Sequence, residues 1–243
     1  MKSICIIPAR MGSSRFPGKP LKKILGTEMI SYCYRNSIES KAFDSTFIAT
    51  CDEVIQSFCI ENNLNVVMTS ERHERCTSRT LEALLKIEQN NNMSFSKIVM
   101  LQGDEPLITP EMLKTCCKSL EKNEVVNLMT AADLKEACSL DEVKVVVSQS
   151  NDAIYFSRAK VPETKDSIEL VFYKQVCAIG FSREKLIEFE SFSPSRLEII
   201  ESIDMNRFLE NNVGIKMVEV FGKIVSVDTP NDLIKVEEIL REK

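Results

Sequence analysis

Two patterns of apolar and polar positions alternate along the first half of this chain. Short apolar runs stand at 3–8 (SICIIP), 45–50 (STFIAT), 65–69 (NVVMT) and 97–102 (KIVMLQ). They are too short for helices and carry no polar face, so they predict strands buried on both sides of a mostly parallel sheet. Between them, stretches near 28–39, 52–62 and 75–89 repeat their apolar residues at helical spacing. After the fourth run, TPEMLKTCCKSLEK offers Thr109 as an N-cap and Pro110 at the first helical position. The strand–helix alternation predicts an α/β fold with a doubly wound sheet.

The second half changes character. VVNLMTAA (125–132) and VKVVVSQSNDAIYFSRA (143–159) carry strand runs with no helix between them, and LVFYKQVCAIGF (170–181) follows a polar loop. We read a smaller mixed-sheet lobe over approximately 125–195, inserted within a single domain spanning 1–243. SPSRLEIIESIDMNRFLENN then predicts one helix, with Leu197, Ile200, Ile203 and Phe208 on one face. KMVEVF and KIVSV predict two more strands. TPNDLIKVEEILREK closes the chain as a helix capped by Thr229, with Pro230 in its first turn.

Composition narrows the function classes. The 243 residues are 44% hydrophobic and 28% charged, with net charge -5. That balance gives no general attraction to a nucleic acid polymer or an anionic membrane surface. No run approaches the roughly 18 apolar residues of a membrane span, so no membrane insertion is expected. Nine cysteines and the single His73 form no C-x-x-C or other zinc spacing. They read as small core residues in a reducing, cytoplasmic compartment.

Affinity for anions must therefore be local, and the loop after the first strand supplies it. IIPARMGSSRFPGKPL sets Arg10, Arg15 and Lys19 among Gly12 and Gly18. It is not a Walker loop: the glycines enclose one residue too many, and Lys19 is followed by Pro20 instead of a hydroxyl residue. The chemistry of phosphate binding survives without that template. Arginines offer paired planar donors, lysine a point charge, and glycines a close backbone approach. In QGDEP, Asp104 and Glu105 follow an apolar strand and are expected to emerge on the same rim. Asp228, in VDTPNDL, is a second strand-end acid or simply the start of a capped turn. Together these residues describe a nucleoside triphosphate with a magnesium ion held by Asp104 and Asp228.

IPARMGSSRFPGKPL, QGDEP, YFSRAKVP and VDTPNDL, in this order, resemble the CMP-Kdo synthetase family. These are the 3-deoxy-manno-octulosonate cytidylyltransferases, related to the CMP-sialic acid synthetases. The resemblance covers nearly the whole chain. It implies a nucleotidyltransferase that joins CMP from CTP to the anomeric hydroxyl of a 2-keto-3-deoxy sugar acid and releases pyrophosphate. The product would serve lipopolysaccharide or other surface-polysaccharide biosynthesis. It implies that Arg10, Ser13, Arg15 and Lys19 contact the triphosphate and that magnesium bridges the phosphates to Asp104 and Asp228, with Arg10, Lys19 and the two aspartates carrying catalysis. His73, Thr77 and Arg79 match the nucleotide-site motif. Gln102 and Arg158 fall where the family meets the sugar acid, and the family forms homodimers through the smaller lobe.

The chain departs from the family pattern in two places. In HERCTSRT, Arg75 and Cys76 replace Ser and Gly; Arg75 is either an added cation at the site or a solvated side chain. In KQVCAIGF, Gln175 stands for a histidine and Ile179 for a tyrosine, while Asp204 replaces a glutamate downstream. These positions of the sugar site, Gln175 and Asp204 among them, admit a modified octulosonate, another ulosonic acid, or drift without consequence. A second reading keeps the fold and takes a sugar or polyol phosphate, with Lys160, Lys165 and Lys174 as its cations. A third is a nucleotide-binding module without catalysis.

Overall fold

β1 (Ser3–Pro8) is the axis of the architecture. In the computed structural model, which describes residues 2–13, 15–163 and 170–242, it pairs in parallel with β4 (Ser45–Thr50) on one side and β6 (Lys97–Leu101) on the other. A small hairpin of β2 (Lys23–Ile24) and β3 (Thr27–Glu28) precedes β4, and β5 (Val66–Met68) extends the sheet beyond it. On the β6 side follow β10 (Phe172–Ser182), β7 (Val125–Ala132) and β11 (Lys216–Glu219). β10 runs antiparallel to both its neighbours in that order, and β11 lies parallel to β7. β8 (Lys144–Val147) and β9 (Ala153–Ser157) form an antiparallel pair attached to β10. The sheet is thus mostly parallel with a mixed extension.

Helices cover both faces because β1 is buried at every position and apolar from Ile4 on. Ile4 and Ile6 join one core with α3 (Cys76–Asn91), α6 (Arg183–Ser191) and α8 (Met205–Glu210). Cys5 and Ile7 point the opposite way, into a second core with α1 (Met29–Glu39), α2 (Glu53–Glu61) and α4 (Pro110–Ser119). Cys5, Cys33, Cys59, Cys116 and Cys117 all fill that second core, as small apolar residues do. The Thr109 hydroxyl accepts from the Met112 N–H at 3.3 Å, capping α4 as expected. α9 (Pro230–Arg241) begins with Thr229 and Asp232 in a reciprocal capping box.

Three expectations change. The helix foreseen over SPSRLEIIESIDMNRFLENN is two, α7 (Arg196–Glu201) and α8, because Ser202 takes a left-handed backbone (φ 56°). Its foreseen apolar face splits accordingly: Ile203 and Phe208 are buried, whereas Ile200 is 65% exposed. A short helix, α5 (Leu134–Cys138), intrudes between β7 and β8, nucleated by the Asp133–Glu136 capping box. KIVSV forms no strand ladder; the Val227 N–H donates instead to the Asp104 carbonyl at 2.9 Å. Among the described residues no helix is long and apolar enough to cross a membrane.

Candidate active site

From the end of β1 the chain winds through α1 to β4 on one side, while β6 lies on the other. The strand order reverses between β1 and β6, and such a point leaves a crevice at the carboxyl ends of the strands. A cleft of about 780 Å³ opens there. It is lined by Arg10, Ser13, Arg15, Lys19, His73, Arg79, Gln102, Asp104, Arg158, Gln175, Asp204 and Asp228. Of the residues foreseen for the site or its rim, Thr77 and Glu105 are absent from this lining; both are fully buried behind it.

The opening loop folds back on itself at the mouth of the cleft. The Met11 N–H donates to Asp52 at 2.8 Å, and the Met11 carbonyl accepts from the Gly18 N–H at 3.1 Å. Ser13 Oγ accepts from the Phe16 N–H at 3.2 Å. Gly18 sits at φ 72°, a left-handed turn that delivers Lys19 inward. Lys19 Nζ then donates to Asp104 Oδ2 at 2.6 Å and to Asp228 Oδ1 at 3.1 Å. Burial alone would lower the lysine's pKa, but the charges and hydrogen bonds of the two aspartates outweigh it and raise it. Arg15 meets Asp228 at 3.0 Å and also pairs with Asp141. Arg10 makes no hydrogen bond or ion pair with any described residue and lies exposed in the cleft. Asp104 Oδ1 is buried without a partner.

Glu105 does not share the rim with Asp104 as expected. β6 ends at Leu101 and residues 103–104 form a turn, closed by the Glu105 N–H donating to the Gln102 carbonyl at 3.3 Å, and Glu105 turns inward to complete burial. Its Oε1 accepts from Ser226 Oγ at 2.7 Å and from the Cys177 N–H at 3.2 Å. Burial, then the neighbouring Asp104 charge, push its carboxyl up to about 7 against those hydrogen bonds.

The opposite end of the cleft is held from within the protein. Arg158 donates through Nε to the Glu201 carbonyl at 2.9 Å and through a terminal nitrogen to the Leu140 carbonyl at 3.0 Å. Gln175 Nε2 donates to Asn127 Oδ1 at 2.5 Å. Asp204 Oδ2 accepts from Thr77 Oγ1 at 2.8 Å, which is the position Thr77 takes instead of the cleft wall. Burial raises the Asp204 carboxyl, opposed by Thr77 and by the Arg75 charge. The Gln102 side chain, by contrast, makes no hydrogen bond to a described residue. Along the remaining wall, Arg79 donates to Thr69 Oγ1 at 2.6 Å, and His73 pairs with Glu82.

A family model described as cytidylyltransferase matches residues 4–219. The chain belongs to the cytidylyltransferase family. This cytidylyltransferase is 38% identical over 241 residues to a 3-deoxy-manno-octulosonate cytidylyltransferase of Lawsonia intracellularis, covering 98% of this chain and 94% of that one. It is 34% identical to the protein of that name from Fusobacterium nucleatum subsp. nucleatum, covering 100% and 98%. A solved CMP:2-keto-3-deoxy-manno-octonic acid synthetase complexed with CTP superposes with a TM-score of 0.90 at 31% identity, covering 100% and 99%. The resemblance drawn from the motifs, the α/β fold and the assignment to the nucleotidyltransferases therefore stand.

In the cytidylyltransferase, Arg75 is neither solvated nor free. Its Nε lies 3.3 Å from Glu198 and 3.7 Å from Asp204, and a terminal nitrogen donates to Ser202 Oγ at 2.8 Å. Cys76 and Cys177 line the same cleft. Burial pushes the Cys76 thiol up to about 12 and Cys177 well above the ordinary thiol range, so neither is a nucleophile near neutral pH. Residues that the sequence did not single out also enter the lining, notably Glu136, Asp141 and Glu142. The signal for them was the acidic run from 133 to 142, which resembles any solvated loop.

Proposed function

We propose that this enzyme transfers CMP from CTP to the anomeric hydroxyl of a Kdo-like 2-keto-3-deoxy sugar acid. The hydroxyl oxygen forms a bond to the α-phosphorus, the bond to the β-phosphate breaks, and pyrophosphate leaves. One observation carries the reading: a single ammonium, Lys19, joins carboxylates from residues 104 and 228 at the switch-point crevice, beside the unpaired Arg10.

The donor set fits magnesium. Asp104 and Asp228 are hard oxygen ligands, and Asp104 Oδ1 is a buried oxygen without a partner. Among the described residues no group of three or more acidic, histidine or cysteine ligands occurs. That suits an ion which takes one or two carboxylates and completes its shell with phosphates and water. When bound, the ion would neutralise charge on the phosphates. Arg10, Arg15 and Lys19 bind and orient the triphosphate, with Ser13 shaping the loop that carries them. Transfer of this kind asks chiefly for positioning and charge stabilisation. Gln102, Arg158, Gln175 and Asp204 border the acceptor, and His73 and Arg79 the nucleoside. Thr77 acts through Asp204.

A phosphate-bearing acceptor finds less support. Lys174 is buried and held by Glu136 at 2.7 Å and Glu142 at 3.1 Å. Lys160 pairs with Glu163, and Lys165 lies outside the described residues. We further propose a cytoplasmic homodimer feeding surface-polysaccharide or lipopolysaccharide synthesis. Leu134, Leu140, Ile154 and Val171, each more than half exposed in the 125–195 stretch, favour the dimer.

The test is pyrophosphate release from CTP and magnesium with a panel of 2-keto-3-deoxy sugar acids, with the product identified by mass. Release that requires all three components is expected. No release with any acid of the panel overturns the reading.

A further inference from the structure

Asp228 stands at the end of a segment outside the sheet, which Lys174 of β10 reaches at the Ile224 carbonyl, at 3.1 Å. Residues 223–227 join no strand ladder, and the capping box of α9 ties Thr229 and Asp232 only to each other. Two bonds anchor Ser226 and Val227, and both go to the Asp104–Glu105 dipeptide. The Val227 N–H donates to the Asp104 carbonyl at 2.9 Å, and Ser226 Oγ donates to Glu105 Oε1 at 2.7 Å.

The same carboxylate oxygen holds a second element. The pairing of β10 with β7 shifts register between Val176 and Ile179. Cys177 lies in that bulge; its carbonyl accepts from the Gln102 N–H at 2.9 Å, just past the last residue of β6, and its own N–H on that side needs another acceptor. Glu105 Oε1 accepts that N–H, from Cys177, at 3.2 Å. Glu105 is itself 0% exposed, so no ligand in the cleft touches it. Any influence it has on the reaction passes through Asp228 and β10.

We infer that Glu105 is a positioning residue, whose carboxylate fixes the 225–228 segment and the β10 bulge so that Asp228 faces Asp104 across the cleft. The inference rests on the reading of those two aspartates as the metal-binding pair. It is distinct from the choice of acceptor.

Three variants separate the roles. Glu105→Gln keeps an acceptor oxygen for both donors, Glu105→Ala removes it, and Ser226→Ala cuts only the link to the Asp228 segment. Two readouts apply. One is the magnesium concentration for half-maximal pyrophosphate release at saturating CTP. The other is the extra rise in Tm that magnesium adds to CTP, which needs neither acceptor nor turnover. Glu105→Ala and Ser226→Ala are expected to raise the half-saturating magnesium concentration about 10- to 100-fold, as loss of a partner behind a metal ligand does. They are also expected to shrink the magnesium-dependent rise in Tm. Glu105→Gln should stay near wild type in both. The double variant should be no worse than Glu105→Ala, since both changes break one link. An unchanged magnesium midpoint in Ser226→Ala and Glu105→Ala overturns the inference. So does a fall in kcat at saturating magnesium with a normal midpoint. Where Glu105→Ala does not fold, Ser226→Ala decides alone. Wild-type protein that shows the magnesium-dependent rise in Tm but no turnover refutes the acceptor reading and leaves this one standing.

Discussion

Replacing Lys19 by methionine is the sharpest perturbation of the site. Its side chain is 13% exposed, and its ammonium holds the carboxylates of two aspartate side chains, each about a fifth exposed, at 2.6 and 3.1 Å. At an effective dielectric of about 20, one such contact is worth about 4 kcal/mol of Coulomb attraction, before desolvation offsets part of it. Removing one partner from a buried ion pair costs about 3–5 kcal/mol. The partial exposure of the aspartates puts this case at the low end, about 3 kcal/mol. For a chain of this length, 1 kcal/mol moves Tm by about 2–4 °C. Without metal, Lys19→Met should therefore melt about 6–12 °C below wild type at neutral pH. Magnesium can take the place of the ammonium between the carboxylates, so it should restore much of that loss and stabilise the variant more than wild type. Turnover should remain down by about 10²–10³-fold even with magnesium, because a cation aimed at the phosphates is gone. Differential scanning fluorimetry with and without magnesium, alongside pyrophosphate release, measures all three quantities. A variant that melts with wild type and gains no more from magnesium would show that the two aspartates do not oppose one another, and the metal reading would fail with them.

Other outcomes follow from the same geometry. Lys174→Met leaves the partly exposed Glu142 and Glu136 without their buried cation and should cost about 3 kcal/mol in urea unfolding, the low end for a broken buried pair; unchanged stability would mean that the two carboxylates do not depend on the lysine. Arg75→Ser removes the cation shared by Glu198 and Asp204; kcat/KM for the acceptor should shift about tenfold, with KM for CTP unaffected. Burial alone would raise the Glu82 carboxyl, but hydrogen bonds from Lys86, the Ser70 N–H and His73 lower it to about 2. Its folded pKa lies below the unfolded value, so its stabilisation is present above about pH 4.5 and fades as pH falls toward 2. Glu82→Gln should lose about 1 kcal/mol near neutral pH, a figure discounted for solvent screening, and its deficit should close over that acid window.

The parallel core was legible because burial on both faces leaves a distinctive mark: SICIIP and KIVMLQ contain no polar stripe, and both became adjacent strands. KIVSV carries the same mark and misled. Ile224 and Val227 are indeed buried, but burial fixes only what side chains do, and the backbone of this segment bonds to Asp104 instead of to a strand. The break at Ser202 was invisible for a related reason. Helical spacing continues through it, and a single residue turning to positive φ leaves no trace in apolar periodicity. At the site, Asp228 alone was ambiguous between a ligand and the start of a capped turn. Thr229 supplies the cap as expected, and the aspartate side chain goes to Lys19 and Arg15. Glu105 was misjudged because adjacency in sequence was taken for adjacency in space, whereas the turn at 103–104 leaves Asp104 on the cleft and sends Glu105 into the protein.

The two ends of the cleft follow different rules. At the end proposed for the phosphates the demand is a fixed excess of charge, which few residue types can meet, and Arg10, Arg15, Lys19, Asp104 and Asp228 line the cleft together although the strand expected before Asp228 does not form. At the end proposed for the acceptor, hydrogen-bonding capacity is turned back into the protein. Gln175 is bound to Asn127, Asp204 to Thr77 and Arg75, and Arg158 to backbone carbonyls. The wall between them is closed by Cys76, Cys177 and Ile179. A hydroxyl pressed against such a wall gives up water without gaining a partner, at about 1–3 kcal/mol. Among the described residues, the Gln102 side-chain amide on this side makes no hydrogen bond within the protein. On the proposed function, discrimination among sugar acids would then depend on which hydroxyls an acceptor can keep hydrated or direct to Gln102. That is why the consequences of Arg75→Ser belong to the acceptor and not to CTP.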